Sequence, residues 1–173
     1  MSDTAVKEEK KQNEGPDIEG GKFLTFFLGQ EEYAIEILKV QEIIGLMNIT
    51  PVPKMPSYIR GVLNLRGKIV PVMNLRTRFG LNKVDDTDET CIIVIQDDGY
   101  LMGILVDKVS EVVDIETEDI EEVPTVGVDD QGKYLAGLGK LQDSVKMIIE
   151  VHEVLFDVPQ KVLETSMREE ANK

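Results

Sequence analysis

Few residues in this chain of 173 have types and spacing suited to chemistry. The single histidine, His152, closes an apolar run, away from any serine or cysteine pattern that would make a nucleophile–base pair. The single cysteine, Cys91, opens another apolar run, where a buried and inert thiol is expected. Gly137-Leu138-Gly139-Lys140 superficially suggests a phosphate loop. It lacks the G-x-x-x-x-G-K-[ST] spacing and leads into Leu141, not into a helix start. Asp85-Asp86-Thr87-Asp88-Glu89 offers oxygen ligands but not the glycine and distal glutamate of a calcium loop, and reads as a solvated acidic stretch. Paired carboxylates for acid–base work require a pocket that a sequence does not supply. No catalytic residue, cofactor or metal is therefore expected. The remaining candidate is Arg66, within Asn64-Leu65-Arg66-Gly67, whose type and place suit a solvated turn corner.

Composition narrows the classes further. The formal charge of −14, from 19 Lys and Arg against 33 Asp and Glu, argues against nucleic acid, which demands clustered cations. One cysteine excludes an internal disulfide, and no Cys/His spacing suits zinc. No apolar run approaches the ~20 residues of a membrane span, and the acidic start lacks a signal-peptide core. A cytoplasmic protein without membrane insertion is expected, built as one compact unit or two small lobes.

The elements that would position these residues are mostly strands. Residues 1–20 are polar and charged, and are expected to be disordered. Lys22–Leu28 and Tyr33–Ile37 form a first hairpin around Gly29. Leu38–Gly45 is compatible with a short amphipathic helix or with a third strand. Pro51, Pro53 and Pro56 hold an extended connector. Then come two apolar runs, Val62–Leu65 and Ile69–Met73, flanking Arg66-Gly67-Lys68, where Gly67 can take the positive φ of a tight reversal. Pro71 donates no ladder hydrogen bond, which predicts an edge or a bulge for the second strand. Asn74 reads as the N-cap of a short helix ended by Gly80. Asn82–Glu89 is a candidate linker. Cys91–Ile95 and Tyr100–Val106 pair about Asp97-Asp98-Gly99, and Val109–Ile115 follows. After an acidic turn at Glu116–Glu122 and a loop at Val123–Lys133, Tyr134–Leu141 and Val145–Val151 make a last hairpin about Asp143-Ser144. His152–Phe156 suits a helical turn. A polar tail from 157 to 173 carries a faint amphipathic pattern at Val162, Leu163 and Met167.

The chain also resembles itself. Lys39-Val40-Gln41-Glu42-Ile43-Ile44 returns 69 positions later as Lys108-Val109-Ser110-Glu111-Val112-Val113, and the two preceding strands coincide at the same offset. Gly61–Leu75 matches Gly137–Val151 at offset 76. Two copies of one small β unit are implied, each too poor in strands to bury a core unless it closes on itself. Such a pair exposes strand edges and a surface between lobes. Ile37, Val40, Val109 and Val112 beside Glu42 and Arg66 would give that surface an apolar centre and a charged rim, as protein partners require.

Three segments carry a family resemblance: E-E-Y-A-I-E-I-L-K-V-Q-E-I, G-V-L-N-L-R-G-K-I-V-P-V-M-N-L-R and Y-L-A-G-L-G-K-L. They resemble the CheW family of bacterial chemotaxis adaptors, over about Phe23 to Phe156. The resemblance implies an all-β fold of two SH3-like barrel lobes with a few short helices, approximately 21–85 and 89–156, with strand exchange between them allowed. It implies no enzymatic activity, and partners in the cytoplasmic tips of chemoreceptors and the regulatory domain of the histidine kinase CheA. Ile37, Glu42, Arg66, Cys91, Val109 and Val112 fall where the family lines or borders its receptor groove. Val40, Gly61 and Gly137 fall at positions associated with kinase contact. Asn74 departs from the common Asp but caps a helix equally well. The same domain occurs fused in CheV and at the end of CheA, although neither receiver nor kinase motifs are present here. An SH3-like RNA-binding pair is a further alternative, disfavoured by the acidic balance.

Overall fold

In the computed structural model, residues 18–124 and 130–166 are described, and alternation along the chain becomes two sheets with three apolar clusters. The strands are β1 (Gly21–Leu28), β2 (Glu31–Glu36), β3 (Val40–Gly45), β4 (Ile59–Leu65), β5 (Lys68–Asn74), β6 (Cys91–Asp97), β7 (Tyr100–Val106), β8 (Lys108–Ile115), β9 (Ile120–Glu121), β10 (Leu135–Leu141) and β11 (Ser144–Ile149). Short helices α1 (Leu75–Arg78), α2 (Val151–Leu155) and α3 (Gln160–Leu163) follow β5, β11 and α2 in turn.

One sheet runs β8-β1-β2-β11-β10-β9 and the other β3-β6-β7-β5-β4. The contiguous lobes 21–85 and 89–156 are therefore not the sheets. Each half lends a hairpin to one sheet and its remaining strands to the other. The exchange is reciprocal. Val72 of β5 pairs in parallel with Gly103 of β7, while Ile148 of β11 pairs in parallel with Ala34 of β2. The internal offsets carry one pair onto the other. Irregularities repeat as well: the register shifts between Ile59 and Gly61 and again between Leu135 and Gly137, at equivalent places.

Two apolar clusters fill the individual lobes, around Leu63, Val70 and Ile92 and around Phe23, Ile115 and Ile148. The third and largest lies between them, with Phe26, Tyr33 and Ile35 from one sheet and Met73, Ile93 and Ile104 from the other. Arg78 enters this region from α1, with its side chain only 5 % exposed. Its guanidinium lies 4.4 Å from the ring centroid of Tyr58 and 5.1 Å from that of Tyr134, two residues equivalent in the repeat. It donates to the Val154 carbonyl through Nε (3.0 Å) and Nη2 (2.8 Å), and pairs with Asp157. The bond from Arg78 is the chief reason that the Asp157 carboxyl is held below the usual range.

Local expectations are largely met. Leu38–Gly45 resolves into a 3₁₀ turn at Ile37–Lys39 and strand β3, because its alternating half-buried residues pair with β6. Asn74 Oδ1 accepts from Thr77 N at 3.3 Å, and Gly80, at φ 76°, ends α1 with a Leu81 N to Arg76 O bond of 2.8 Å. Pro71 lies neither on an edge strand nor at the register shift. Counting from the turn-closing pair Leu65–Lys68, Val62–Pro71 is a non-hydrogen-bonded pair, so the missing N–H faces β7. Pairing with β7 starts only at Val72, and nothing is lost. The last hairpin turns at Gln142-Asp143, one residue earlier than expected, with Leu141 opposite Ser144.

The termini correct two expectations. Residues 1–17 of the expected disordered tail lie outside the described residues, but Ile18 is buried and Gly20 N donates to Thr117 Oγ1 at 2.9 Å. The polar tail expected from 157 is folded as far as Ser166. Val158, Val162 and Leu163 join the inter-lobe cluster, Gln160 Nε2 donates to Tyr100 Oη at 2.7 Å, and Ser166 Oγ accepts from Leu101 N at 3.3 Å. Met167 and positions 125–129 lie outside the described residues; the end of the expected loop, together with Tyr134 from the expected strand, is a 3₁₀ turn at Asp130–Tyr134. Leu163→Ala is predicted to cost about 2–5 kcal/mol, the usual penalty for emptying a buried leucine site. Chemical denaturation measures it, and an unchanged midpoint would return this segment to the status of a tail.

Candidate functional site

Each sequence-selected residue can now be placed from its strand upward. Phe26 lies opposite Val109 on β8, and Ile95 lies opposite Val40 on β3, equivalent pairs on the two edge strands. Each valine is half-buried and packs on the inter-lobe cluster, as do Ile37 and Cys91. Cys91 stands at the junction: its neighbours across the sheet are Gly45 of β3 and Val106 of β7, and its thiol meets the Val109 backbone. Burial pushes that thiol above its ordinary pKa, against the opposing Val109 hydrogen bond, so it is a poor nucleophile. Val112 lies farther along β8 opposite Leu24 and is half exposed.

Arg66 is the exposed turn-corner residue that its type suggested, and it is also paired. It takes φ 53° in a two-residue reversal completed by Gly67 at φ 88°, and Gly67 N donates to Asn64 Oδ1 at 2.7 Å. From that corner, Arg66 Nη1 donates to Glu42 Oε2 at 3.3 Å and Nη2 meets Oε1 in a two-point pair. Glu42 is on β3 and Arg66 follows β4, the two edges of their sheet. Ile44 of β3 also packs on the cluster of Leu63 and Leu65 from β4, so the sheet is rolled until its edges meet. The apolar rim and the ion pair thus share β3.

Gly61 and Gly137 are both buried at the equivalent register shifts. Gly61 has φ 152°, and a Cβ there would lie 2.2 Å from the Thr50 carbonyl oxygen. The connector crosses at this point, with Thr50 and Val62 exchanging backbone bonds of 2.8 and 2.9 Å. Close backbone approach within the chain therefore explains this glycine.

Sequence reasoning missed the polar ties that hold the frame. Arg76 Nε and Nη2 grip Asp107 at 2.9 and 2.5 Å, and Gly29 N donates to the same carboxylate at 2.7 Å. The Arg76 bond leads in lowering the Asp107 pKa. Asp86, in the acidic stretch considered for a cation, is clasped by Arg60 at 2.9 and 2.6 Å. A cleft of about 490 Å³ beneath that stretch includes Phe27, Arg76, Val84, Asp107 and Lys108. Its cations are already paired, Arg76 with Asp107 and Lys108 with Glu89. The one available signal for Arg78 was the equivalence of Tyr58 and Tyr134, and of position 78 with 154, in the repeat.

The chain matches known proteins over most of its length. The family model described as the CheW-like domain matches residues 22–158. The chemotaxis protein CheW of Klebsiella aerogenes is 40 % identical over 136 residues, covering 79 % of this chain and 82 % of that protein. The Helicobacter pylori chemotaxis protein CheW is 36 % identical over 134 residues, covering 78 % and 81 %. A crystal structure of the scaffolding protein TtCheW from Thermoanaerobacter tengcongensis superposes with a TM-score of 0.74 at 36 % identity, covering 80 % of this chain and 94 % of that one.

Gly61→Ala is predicted to destabilise by about 1–3 kcal/mol through strain at its φ and displacement of Thr50. A denaturation midpoint equal to that of the parent protein would contradict the crowding described.

Proposed function

The chain belongs to the CheW family and is a chemotaxis scaffold protein, and from that premise we propose that it couples chemoreceptor cytoplasmic tips to the histidine kinase CheA without catalysing a reaction. The observation that carries this reading is the joint placement of both edge strands on one apolar cluster, with the Glu42–Arg66 pair alongside. Ile37, Cys91, Val109 and Val112 form the receptor-facing apolar surface, with Glu42 and Arg66 as its charged rim. An amphipathic receptor helix can lay its apolar face on such a surface and meet the rim with polar residues. Val40, half-buried at the start of β3, serves the kinase. Gly61 and Gly137 contribute by shaping the backbone at the two register shifts, with Thr50 standing over Gly61.

No helix among the described residues is long and apolar enough to cross a membrane. We place the protein in the cytoplasm, at receptor clusters, held there by its partners. The family match does not favour the CheV-type, CheA-type or RNA-binding alternatives.

Arg66→Ala tests the reading. Arg66 is exposed and its ion pair with Glu42 is solvated, so the denaturation midpoint is expected to stay at that of the parent protein. Affinity for a receptor-tip fragment is predicted to fall about tenfold through the loss of one rim contact. Affinity for the CheA regulatory domain is predicted to stay the same. Calorimetric titration against both partners measures this. Unchanged receptor affinity in a folded variant would remove Arg66 from the interface.

A further inference from the structure

The sole histidine acquires partners that its sequence position conceals. Asp97 ends β6, Asp98 follows it in the turn at φ 52°, and His152 arrives 55 residues later in the first turn of α2. His152 Nδ1 lies 3.1 Å from Asp97 Oδ2, and Lys39 Nζ donates to Asp97 Oδ1 at 2.8 Å. One ligand atom from each of Asp97, Asp98 and His152 falls within 4.8 Å of the others. The Asp97 side chain is 10 % exposed, and Lys39 fixes it, whereas the His152 side chain is 59 % exposed and held at its ring by Asp97 alone among the described residues.

We propose that Asp97, Asp98 and His152 form a site for a divalent transition metal of the zinc, nickel or cobalt class. Two carboxylates with one imidazole suit these borderline cations, whereas calcium and magnesium prefer oxygen ligands alone. Ligand atoms around zinc sit about 2.0–2.2 Å from the ion, so small rotations of the exposed His152 and Asp98 side chains close the set. Water fills the remaining positions. Lys39 keeps Oδ1 and leaves Oδ2 for the metal, which displaces the proton shared by Oδ2 and Nδ1.

The surroundings favour a cation. Asp97, Asp98 and Glu150 act on the imidazole, and Asp97, Glu36 and Glu150 act on Lys39, so the cluster holds four carboxylates against one ammonium and one imidazole. The hydrogen bond from Asp97 is the main reason that the imidazole holds its proton more tightly than usual. A metal here would tie the β6–β7 turn of one sheet to the helix that follows β11 of the other. It would brace the lobes without touching the Glu42–Arg66 rim, and its test does not depend on the coupling role proposed above.

The experiment uses the full chain without an affinity tag, in a buffer that does not chelate. Titration with zinc chloride is expected to show one ion per chain, a raised melting temperature, and a shift of the single imidazole signal at one equivalent. His152→Ala is expected to abolish all three, Asp98→Asn to weaken binding at least tenfold, and Cys91→Ser to leave it intact. Asp98→Asn also serves if His152→Ala fails to fold, because asparagine tolerates the positive φ at this turn. Absence of binding at millimolar zinc, binding that survives loss of the imidazole, or wild-type affinity in Asp98→Asn would overturn the assignment.

Discussion

The reciprocal parallel pairing of β5 with β7 and of β11 with β2 is the constraint on which the remaining structure depends. Each half of the chain leaves a hairpin in one sheet and sends its next strands to the other. Neither half can satisfy its own backbone or bury its own apolar face, and backbone groups left unpaired in a core are costly. At the centre of this exchange Arg78 sits between the equivalent rings of Tyr58 and Tyr134 and closes on the Val154 carbonyl and Asp157. A buried guanidinium tolerates such a place only when its donors are used, so the site fixes the lobes in one arrangement.

The proposed docking surface follows from that frame. Exchange leaves β3 at the edge of one sheet and β8 at the edge of the other, two strands with related sequences in related environments. Cys91 lies against both, which brings their apolar residues onto one cluster. Rolling of the second sheet then sets Arg66 beside Glu42, so a charged pair borders the apolar surface. No single element carries this arrangement. Strand pairings between distant parts of the chain assemble it.

What the sequence revealed was whatever local chemistry controls. Asn74 and Gly80 mark the ends of α1 because capping is decided within a few residues. Asp98-Gly99 and Arg66-Gly67 mark hairpins because two positive φ values are needed there. The repeat was visible, and with it the equivalence of Gly61 and Gly137. Its exchange was not, because the same strand pattern serves contiguous and swapped lobes alike. Val162 and Leu163 gave only a faint pattern in a polar-looking tail because two apolar residues in a four-residue helix carry little periodic signal, and Val158 stands before that helix. The crowding of Gly61 by Thr50, the Arg78 clasp and the meeting of His152 with Asp97 all join residues far apart in the chain, where spacing says nothing.

Cutting the chain in the acidic stretch tests the exchange most directly. Two fragments, 1–88 and 89–173, would be prepared separately and then mixed at equal concentration. The account predicts collapsed or unfolded amide spectra for each alone, and recovery of the parent spectrum with slow exchange in β2, β5, β7 and β11 on mixing. Either fragment showing dispersed, exchange-protected signals by itself would contradict it, since an autonomous half needs no strands from the other.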